Sequence, residues 1–427
     1  MKQCSTEAFL KPDRWWVRFF YIWTGQQLSL VGSSLGGFAL VWWLTITTGS
    51  AQVLATATIA LIVPKVLLWP VVGAYVDRWD RRKIILLADT WTALVSLALA
   101  ILFWIGAMQV WHVYVVIFAR AIGGAFHQPA FYAATPLLVP ERHLARVAGL
   151  GNVMEGTMSV AGPLLGALMI TVLPIHGVMM IDVGTALFAV IPLLFFAIPA
   201  STRKDAKPTS TWQSIREGLA YVRSVRGLVP FIAAFAFLNL VVNPAYRFLP
   251  LLVTQHFEAG AISYASLSSA WGIGIIVAGL VVSVWGGFRR RMLTVVLGTV
   301  IQGLGTLLIG LSPAWAIILA VGGMGIAGFG NSTTNAPVSA IFQGGVPNHL
   351  QGRFFTVFGV IMMVAQPLGF AVAGPLVELI GIRTWLVAVG ALQAAVVLGL
   401  LLLPSVRRLE TTFVQVKDGF QEEHESA

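Results

Sequence analysis

The chain has 427 residues, of which 57% are hydrophobic and only 10% charged, and its formal net charge is +10. A soluble domain of average composition carries roughly 25% charged residues, so a water-soluble fold is excluded. The basic excess does not point to nucleic acid, because Lys and Arg fall almost entirely in alternate short connections between apolar segments, the positive-inside distribution of membrane proteins.

Apolar runs of about 20 residues, the length that spans a bilayer, occur near 17–46, 51–76, 84–106, 111–138, 147–173, 177–198, 228–254, 263–287, 292–311, 313–340, 354–380 and 384–404. The expected fold is therefore all-α and polytopic, with twelve transmembrane helices in two six-helix bundles, 17–198 and 228–404. The remaining parts are a cytoplasmic N-terminal segment 1–16, a cytoplasmic linker 199–227 and a C-terminal tail 405–427. The first span is too long for a signal-peptide core and carries polar Gln26, Gln27 and Ser29, which suits a retained helix. One set of connections holds Arg78, Arg81, Arg82 and Lys83, then Arg142 and Arg146, then Arg203, Lys204, Lys207, Arg216, Arg223 and Arg226, then Arg289, Arg290 and Arg291, and finally Arg353. The opposite set holds only Arg383, so both termini are expected on the cytoplasmic side of the cell (inner) membrane.

The linker contains Pro199 and Pro208, then a segment with Trp212, Ile215, Leu219 and Val222 on one stripe and Arg216, Glu217 and Arg223 off it. That pattern predicts a helix lying in the headgroup plane, in contact with membrane lipid. The lone cysteine, Cys4, rules out an intrachain disulfide, and the seven histidines are scattered without metal-ligand spacing. No nucleotide-binding loop or nucleophile elbow is present, so neither an enzyme nor a cofactor or metal is expected.

Between the second and third spans lies Gly73-Ala-Tyr-Val-Asp77-Arg78-Trp-Asp80-Arg81-Arg82-Lys83. It resembles the loop between helices 2 and 3 of major facilitator superfamily transporters. That resemblance gives Asp77 a contact with the start of helix 11 that favours the outward-open state, as a carboxylate favours a helix N-terminus. The halves echo each other: Val139-Pro140 precedes Arg146 as Val346-Pro347 precedes Arg353, and Arg289-Arg290-Arg291 stands where the loop motif would repeat. Such a repeat fits transporters that rock two bundles around a central site.

A charge at helix centre costs about 2.5–3.5 kcal/mol on the insertion scale, so each one requires a partner or a function. Arg120, in Phe-Ala-Arg120-Ala-Ile-Gly123-Gly124, resembles the superfamily's helix 4 motif, with Gln26 and Gln27 as expected hydrogen-bond partners. Glu155 and Lys65 lie at similar depths, ~13 and ~16 Å from the cytoplasmic ends of their helices. With Arg120 they form either a proton-coupling set, together with Asp77, or a fixed structural ion pair. Asp182 is expected to pair with Arg247 near the outer face, while Asp89 and Glu378, close to span ends, are expected to be solvated.

In the fifth span Gly149, Gly162-Pro163 and Gly166 stand at the spacing of the helix 5 motif of drug:proton antiporters, with Met158 and Ala167 where that motif has glycines. The glycines allow close helix approach and the proline kinks the helix. Ile22-Trp23-Thr-Gly25-Gln26, Ala125-Phe126-His127-Gln128-Pro129-Ala130 and Thr135-Pro136-Leu-Leu-Val139-Pro140 resemble the macrolide-efflux branch of these antiporters, and the resemblance runs from about residue 15 to 404. It implies a single-chain exporter of amphipathic drugs driven by proton influx, a monomer with a small-molecule substrate, protons and lipid as partners. The rivals are a siderophore or metabolite exporter of the same superfamily and a non-transporting sensor or scaffold. In that fold helices 1, 4, 7 and 10 line the substrate cavity, which would bring Tyr21, Gln26, Phe126, Tyr132, Asn239, Asn243, Tyr246, Phe329, Asn331 and Asn335 to it.

Overall fold

A computed structural model describes residues 15–196, 198, 211–410 and 412–413. Among these residues the structure is all-α, and twelve helices are long and apolar enough to cross a membrane. The first half consists of α1 (Trp15–Thr48), α2 (Ala51–Arg78), α3 (Arg81–Trp104), α4 (Val110–Leu138), α5 (Leu144–Val172) and α6 (Ile175–Phe195). The linker supplies α7 (Thr211–Ser224). The second half consists of α8 (Leu228–Arg247), α9 (Leu249–Gln255), α10 (Ala261–Trp285), α11 (Arg291–Leu311), α12 (Ile317–Gly345), α13 (Asn348–Ile380), α14 (Ile382–Leu402) and a short α15 (Pro404–Arg407).

The seventh span is broken into α8 and α9 at Phe248. Pro244 and Pro250 flank that break, and each removes a backbone donor from the helical ladder. The tenth span starts and ends later than its apolar run. Pro313 accepts the Ala316 N–H in a turn instead of opening the helix, and the helix then continues to Gly345, two residues before Pro347.

The internal repeat is visible in the packing. In the first half the third helix, α3, packs on α4 and α6; in the second half its counterpart, α11, packs on α12 and α14. By contacts the chain resolves into two compact units, Met1–Val41 with Ala60–Ala206, and Trp42–Ile59 with Lys207–Ala427. The unit boundary therefore crosses α1 and α2 as well as the linker. The hairpin tip 42–59 belongs to the second unit because α13 and α9 hold it there. A Cβ on Gly374 would meet the Cβ of Ala55 at 3.0 Å. The Glu378 carboxylate accepts from the Ser50 hydroxyl and from the Gln52 N–H (3.1 Å) at the start of α2. Gln255 Nε2 donates to Gly49 O (2.8 Å). Glu378 is thus a helix-capping group rather than a merely solvated one.

The linker helix also departs from its expected setting. The Trp212 side chain lies outside the described residues, but Ile215, Leu219 and Val222 face protein. They pack with Tyr221, Val225, Phe231, Phe342 and Phe354 into the core at one end of the second unit, and Glu217 forms an ion pair with Arg353 on α13. The amphipathic stripe therefore packs on α8 and α13. A stripe of that width satisfies a protein groove as well as a headgroup layer, which is why the pattern does not separate them. Burial pushes the Tyr221 phenol up to about 12, keeping it a neutral donor near Gly345 O (3.5 Å). The start of the C-terminal tail joins the same core through Val406, Leu409 and Phe413, while Glu410 accepts the Met292 N–H (2.6 Å) at the start of α11. The rest of the tail, residues 1–14, and Pro199, Pro208, Arg203, Lys204 and Lys207 lie outside the described residues.

The contact of α7 with α13 depends on Gly218, where a Cβ would meet Arg353 O at 2.6 Å and Val357 Cγ2 at 2.7 Å. Gly218→Val is expected to destabilise the protein by about 1–3 kcal/mol through overpacking. Thermal unfolding of the purified variant in detergent, read against the exposed-site control Arg216→Ala, checks it.

Candidate functional site

Three helices of the first unit each carry two polar residues seven positions apart on one face: Gln26 and Ser33 on α1, Asp89 and Ser96 on α3, Arg120 and His127 on α4. Seven residues advance a helix by two turns, about 10 Å, so these pairs form two stacked layers.

In one layer, Gln26 Nε2 donates to Asp89 Oδ2 (2.7 Å). His127 Nε2 lies 3.1 Å from Asp89 Oδ1 and 2.8 Å from Gln26 Oε1. Both neighbours are acceptors, so Nε2 carries the proton, and His127 is either the Nε2–H tautomer or the imidazolium. In the other layer Arg120 pairs with Asp182 of α6 and also donates to Ser96 Oγ. Ser96 Oγ lies 2.8 Å from Asp182 Oδ2, and Ser33 Oγ donates to Asp182 Oδ1 (3.0 Å). Asp182 is 1% exposed and Asp89 7%, so both carboxylates are held inside the unit. Asp182 has a charged partner in Arg120, and Asp89 has two hydrogen-bond donors in Gln26 and His127, as buried carboxylates require.

Close approach of α1 to α6 makes the second layer possible. A Cβ on Gly32 would meet Asp182 Cα at 3.1 Å and clash with Thr185 Oγ1, and Gly25 lies against the Phe188 carbonyl. Small residues on that face bring the Ser33 hydroxyl within reach of Asp182. Gly162 and Gly166 do the same for α5, where a Cβ would meet Ser34 Oγ at 2.6 Å and Phe38 Cβ at 2.9 Å on α1. A Cβ on Gly149 would meet no other helix within 4 Å, so this glycine is not needed for close packing. Pro163 lies inside α5, which continues past it to Val172.

Several expected partners are exchanged. Gln26 serves Asp89 and His127, not Arg120. Asp182 pairs with Arg120 and not with Arg247, and Asp89 is buried rather than solvated. Glu155 is exposed on α5 and has no ion-pair partner among the described residues, and Lys65 is exposed on α2. The sequence signal for the true partners was the shared seven-residue spacing on α1, α3 and α4, which only their assembly turns into layers.

The loop motif is structural at its second half. Asp80 caps α3, accepting the Arg82 N–H (2.9 Å). Arg82 reaches the final turn of α6, donating from Nε to Leu193 O (2.6 Å) and from Nη2 to Leu194 O (2.8 Å). A guanidinium on the last carbonyls of a helix satisfies orphan acceptors and meets the negative end of its dipole. Arg291 of the second half likewise donates to a carbonyl, Ala340 O (2.9 Å) on α12. Gly73, Arg78 and Asp80 are exposed and Arg81 is half-buried; Asp77 belongs to α2, and its side chain lies outside the described residues. Tyr21 is exposed and stacks on Phe196 at 5.8 Å, while Phe126 meets Tyr75 edge-on at 6.5 Å.

The second unit holds a cavity of about 160 Å³ between α8, α10, α11, α12 and α14, and the expected Asn239, Asn243, Asn331 and Asn335 all line it. Tyr246 anchors its floor, donating to Thr306 Oγ1 (2.7 Å), which in turn donates to Gln302 O (2.9 Å) and accepts from Gln393 Nε2 (3.2 Å). Gln302, Thr306 and Gln393 were not among the expected cavity residues. Their signal was polar residues in otherwise apolar spans.

The twelve apolar helices and their repeat define a multi-pass membrane protein, and its family is one of transporters, not enzymes. The chain belongs to the Major Facilitator Superfamily, whose family model matches residues 22–370. It is 29% identical over 401 residues to macrolide efflux protein A of Streptococcus pyogenes, covering 94% of this chain and 99% of that one. It is 25% identical over 397 residues to the multidrug efflux pump Tap of Mycolicibacterium fortuitum, covering 89% and 94%. Its fold matches that of a bacterial homologue of the iron transporter ferroportin in an inward-facing state, with a TM-score of 0.67 at 13% identity, covering 95% and 99%.

Removing one partner of a buried ion pair costs about 3–5 kcal/mol, because the other charge is left uncompensated. Asp182→Asn and Arg120→Met are each expected to lower stability strongly, and the double variant by much less than the sum. A double-mutant cycle on thermal unfolding reads this coupling, and additive losses would remove the pair from its structural role.

Proposed function

We propose that this transporter exports amphipathic small molecules of macrolide type from the cell across the inner membrane, by alternating access driven by proton influx. It acts as a monomer with both termini cytoplasmic. The likeness to efflux proteins over nearly the whole chain supports export. The observation that carries proton coupling is the two-layer ladder, which places two carboxylates inside the membrane-spanning part of one unit, each with a cationic or ionisable partner. Antiport needs a group whose proton affinity changes with conformation. A nearby cation favours the ionised carboxylate and burial disfavours it, so a motion that alters either one moves the proton.

Within the ladder Asp89 is the favoured coupling carboxylate. Its partner His127 is itself ionisable, whereas Asp182 faces the permanently charged Arg120. Arg120 thereby acts by holding Asp182 rather than by serving Glu155. Glu155 and Lys65 remain candidates on exposed faces of α5 and α2, and Asp77 with its loop motif 73–82 is the candidate for conformational switching.

Expression in a pump-deficient bacterial host is expected to raise macrolide tolerance, with the gain abolished by a protonophore. In reconstituted vesicles with an imposed pH gradient, Asp89→Asn should retain drug binding and lose proton-driven accumulation, while Glu155→Gln should keep most of it. Full accumulation by Asp89→Asn, or loss only in Glu155→Gln, would move the coupling site to α5. Asp77→Asn is expected to cut efflux several-fold with drug binding intact; full efflux at normal expression overturns that role.

A further inference from the structure

The cavity of the second unit differs chemically from the ladder of the first. Among the described residues no charged side chain lines it. Its walls are the amides of Asn239, Asn243, Asn331 and Asn335, the aromatic faces of Phe235 and Trp271, and the hydroxyls above the Tyr246 floor. Asn239 lies eleven residues into α8 and Asn335 ten residues before the end of α12. Those separations are ~17 and ~15 Å along the helix axes, well inside the spans. A polar amide at that depth is tolerated only where it meets protein, water or a ligand.

The asparagines form two ladders of like design. Asn243 Nδ2 donates to Asn239 Oδ1 (2.5 Å) and Asn239 O (2.9 Å), and Asn335 Nδ2 donates to Asn331 Oδ1 (3.2 Å) and Asn331 O (2.9 Å). Each ladder thereby commits one amide nitrogen and one amide oxygen to its own helix. Among the described residues Asn243 Oδ1, Asn335 Oδ1 and Asn331 Nδ2 have no hydrogen-bond partner, so the cavity presents acceptors and a donor with fixed orientation. A cationic group would find aromatic faces and amide oxygens but no countercharge, and an anionic one no Arg or Lys, so an uncharged group enters at the lower desolvation cost. A purely apolar group would leave the amides unpaired, at the cost of their desolvation. Paired donors and acceptors beside aromatic faces suit vicinal hydroxyls on a saturated ring, whose C–H face packs on an aromatic and whose rim needs both kinds of partner.

Size narrows the assignment. Sites for whole drug-sized ligands measure about 300–1,000 Å³, whereas this cavity measures about 160 Å³. It accommodates a ring-sized part of a ligand and leaves a larger apolar body outside. We propose that the cavity is a subsite for an uncharged, hydroxyl-bearing ring, a neutral sugar substituent, carried on the amphipathic substrate. This rests on the reading of the protein as an exporter of such molecules.

The test uses the full-length transporter in lipid nanodiscs and two probes, a macrolide bearing a neutral sugar and the same macrolide with that sugar removed. Binding is measured by calorimetry. The wild type is expected to favour the glycosylated probe by about tenfold or more, the worth of two or three neutral hydrogen bonds. Asn335→Ala and Asn243→Ala should each reduce that preference several-fold while leaving affinity for the sugar-free probe within about twofold. Asn335 is exposed and bonds only within α12, so its truncation leaves helix contacts in place. Equal wild-type affinity for the two probes, or an equal loss for both in the variants, overturns the subsite while leaving the exporter reading intact. Binding of neither probe overturns the exporter reading, and the subsite with it.

Discussion

Hydrocarbon offers no hydrogen bonds, and that constraint shapes the interior of this protein more than any single contact. A buried polar side chain inside a span is satisfied by its own helix or by a neighbouring one, and in each half the third helix carries much of the pairing between helices. In the first half α3 brings Asp89 and Ser96 against α1, α4 and α6. In the second half α11 brings Thr299, Gln302 and Thr306 against α8, α12 and α14. Four of these pairs, α3 with α4 and α6 and α11 with α12 and α14, are also extensively packed, so there the polar and apolar groups select the same neighbours.

The two halves use one scaffold for different chemistry. Four ionisable side chains, Asp89, His127, Arg120 and Asp182, occupy the interior of the first unit, while amides and hydroxyls occupy that of the second. A buried charge responds strongly to small changes in its surroundings and suits a group that exchanges a proton. Neutral amides respond weakly and suit recognition by shape and hydrogen bonding. On the proposed function, the repeat keeps one architecture and divides proton coupling and recognition between its copies.

Helix termini provide a second level of organisation. Arg82 on the final carbonyls of α6, Glu378 at the start of α2 and Glu410 at the start of α11 all place a charge where a helix dipole favours it. The linker helix and the first residues of the C-terminal tail join the same economy, packing Leu219, Val222, Leu409 and Phe413 into the second unit. Segments outside the bilayer are thus part of the core and not passive connections.

The number of spans, their order, the positive-inside pattern and the family were legible in the sequence, because length and apolarity of a run are local properties that hydrocarbon enforces. The asparagines of the second-unit cavity were legible too, since an amide within a span requires an interior position. What the sequence left open was which charge meets which. Gln26, Asp89 and His127 are separated by sixty or more residues or by a full helix, and nothing local distinguishes Asp89 at a solvated end from Asp89 in a buried layer. Glycine contacts such as Gly32 on Asp182 and Gly162 on Ser34 set how closely the helices approach. That approach, a property of the packed helices alone, brings Asp182 into the layer that holds Arg120, as Gly218 on Arg353 sets where the linker stripe packs.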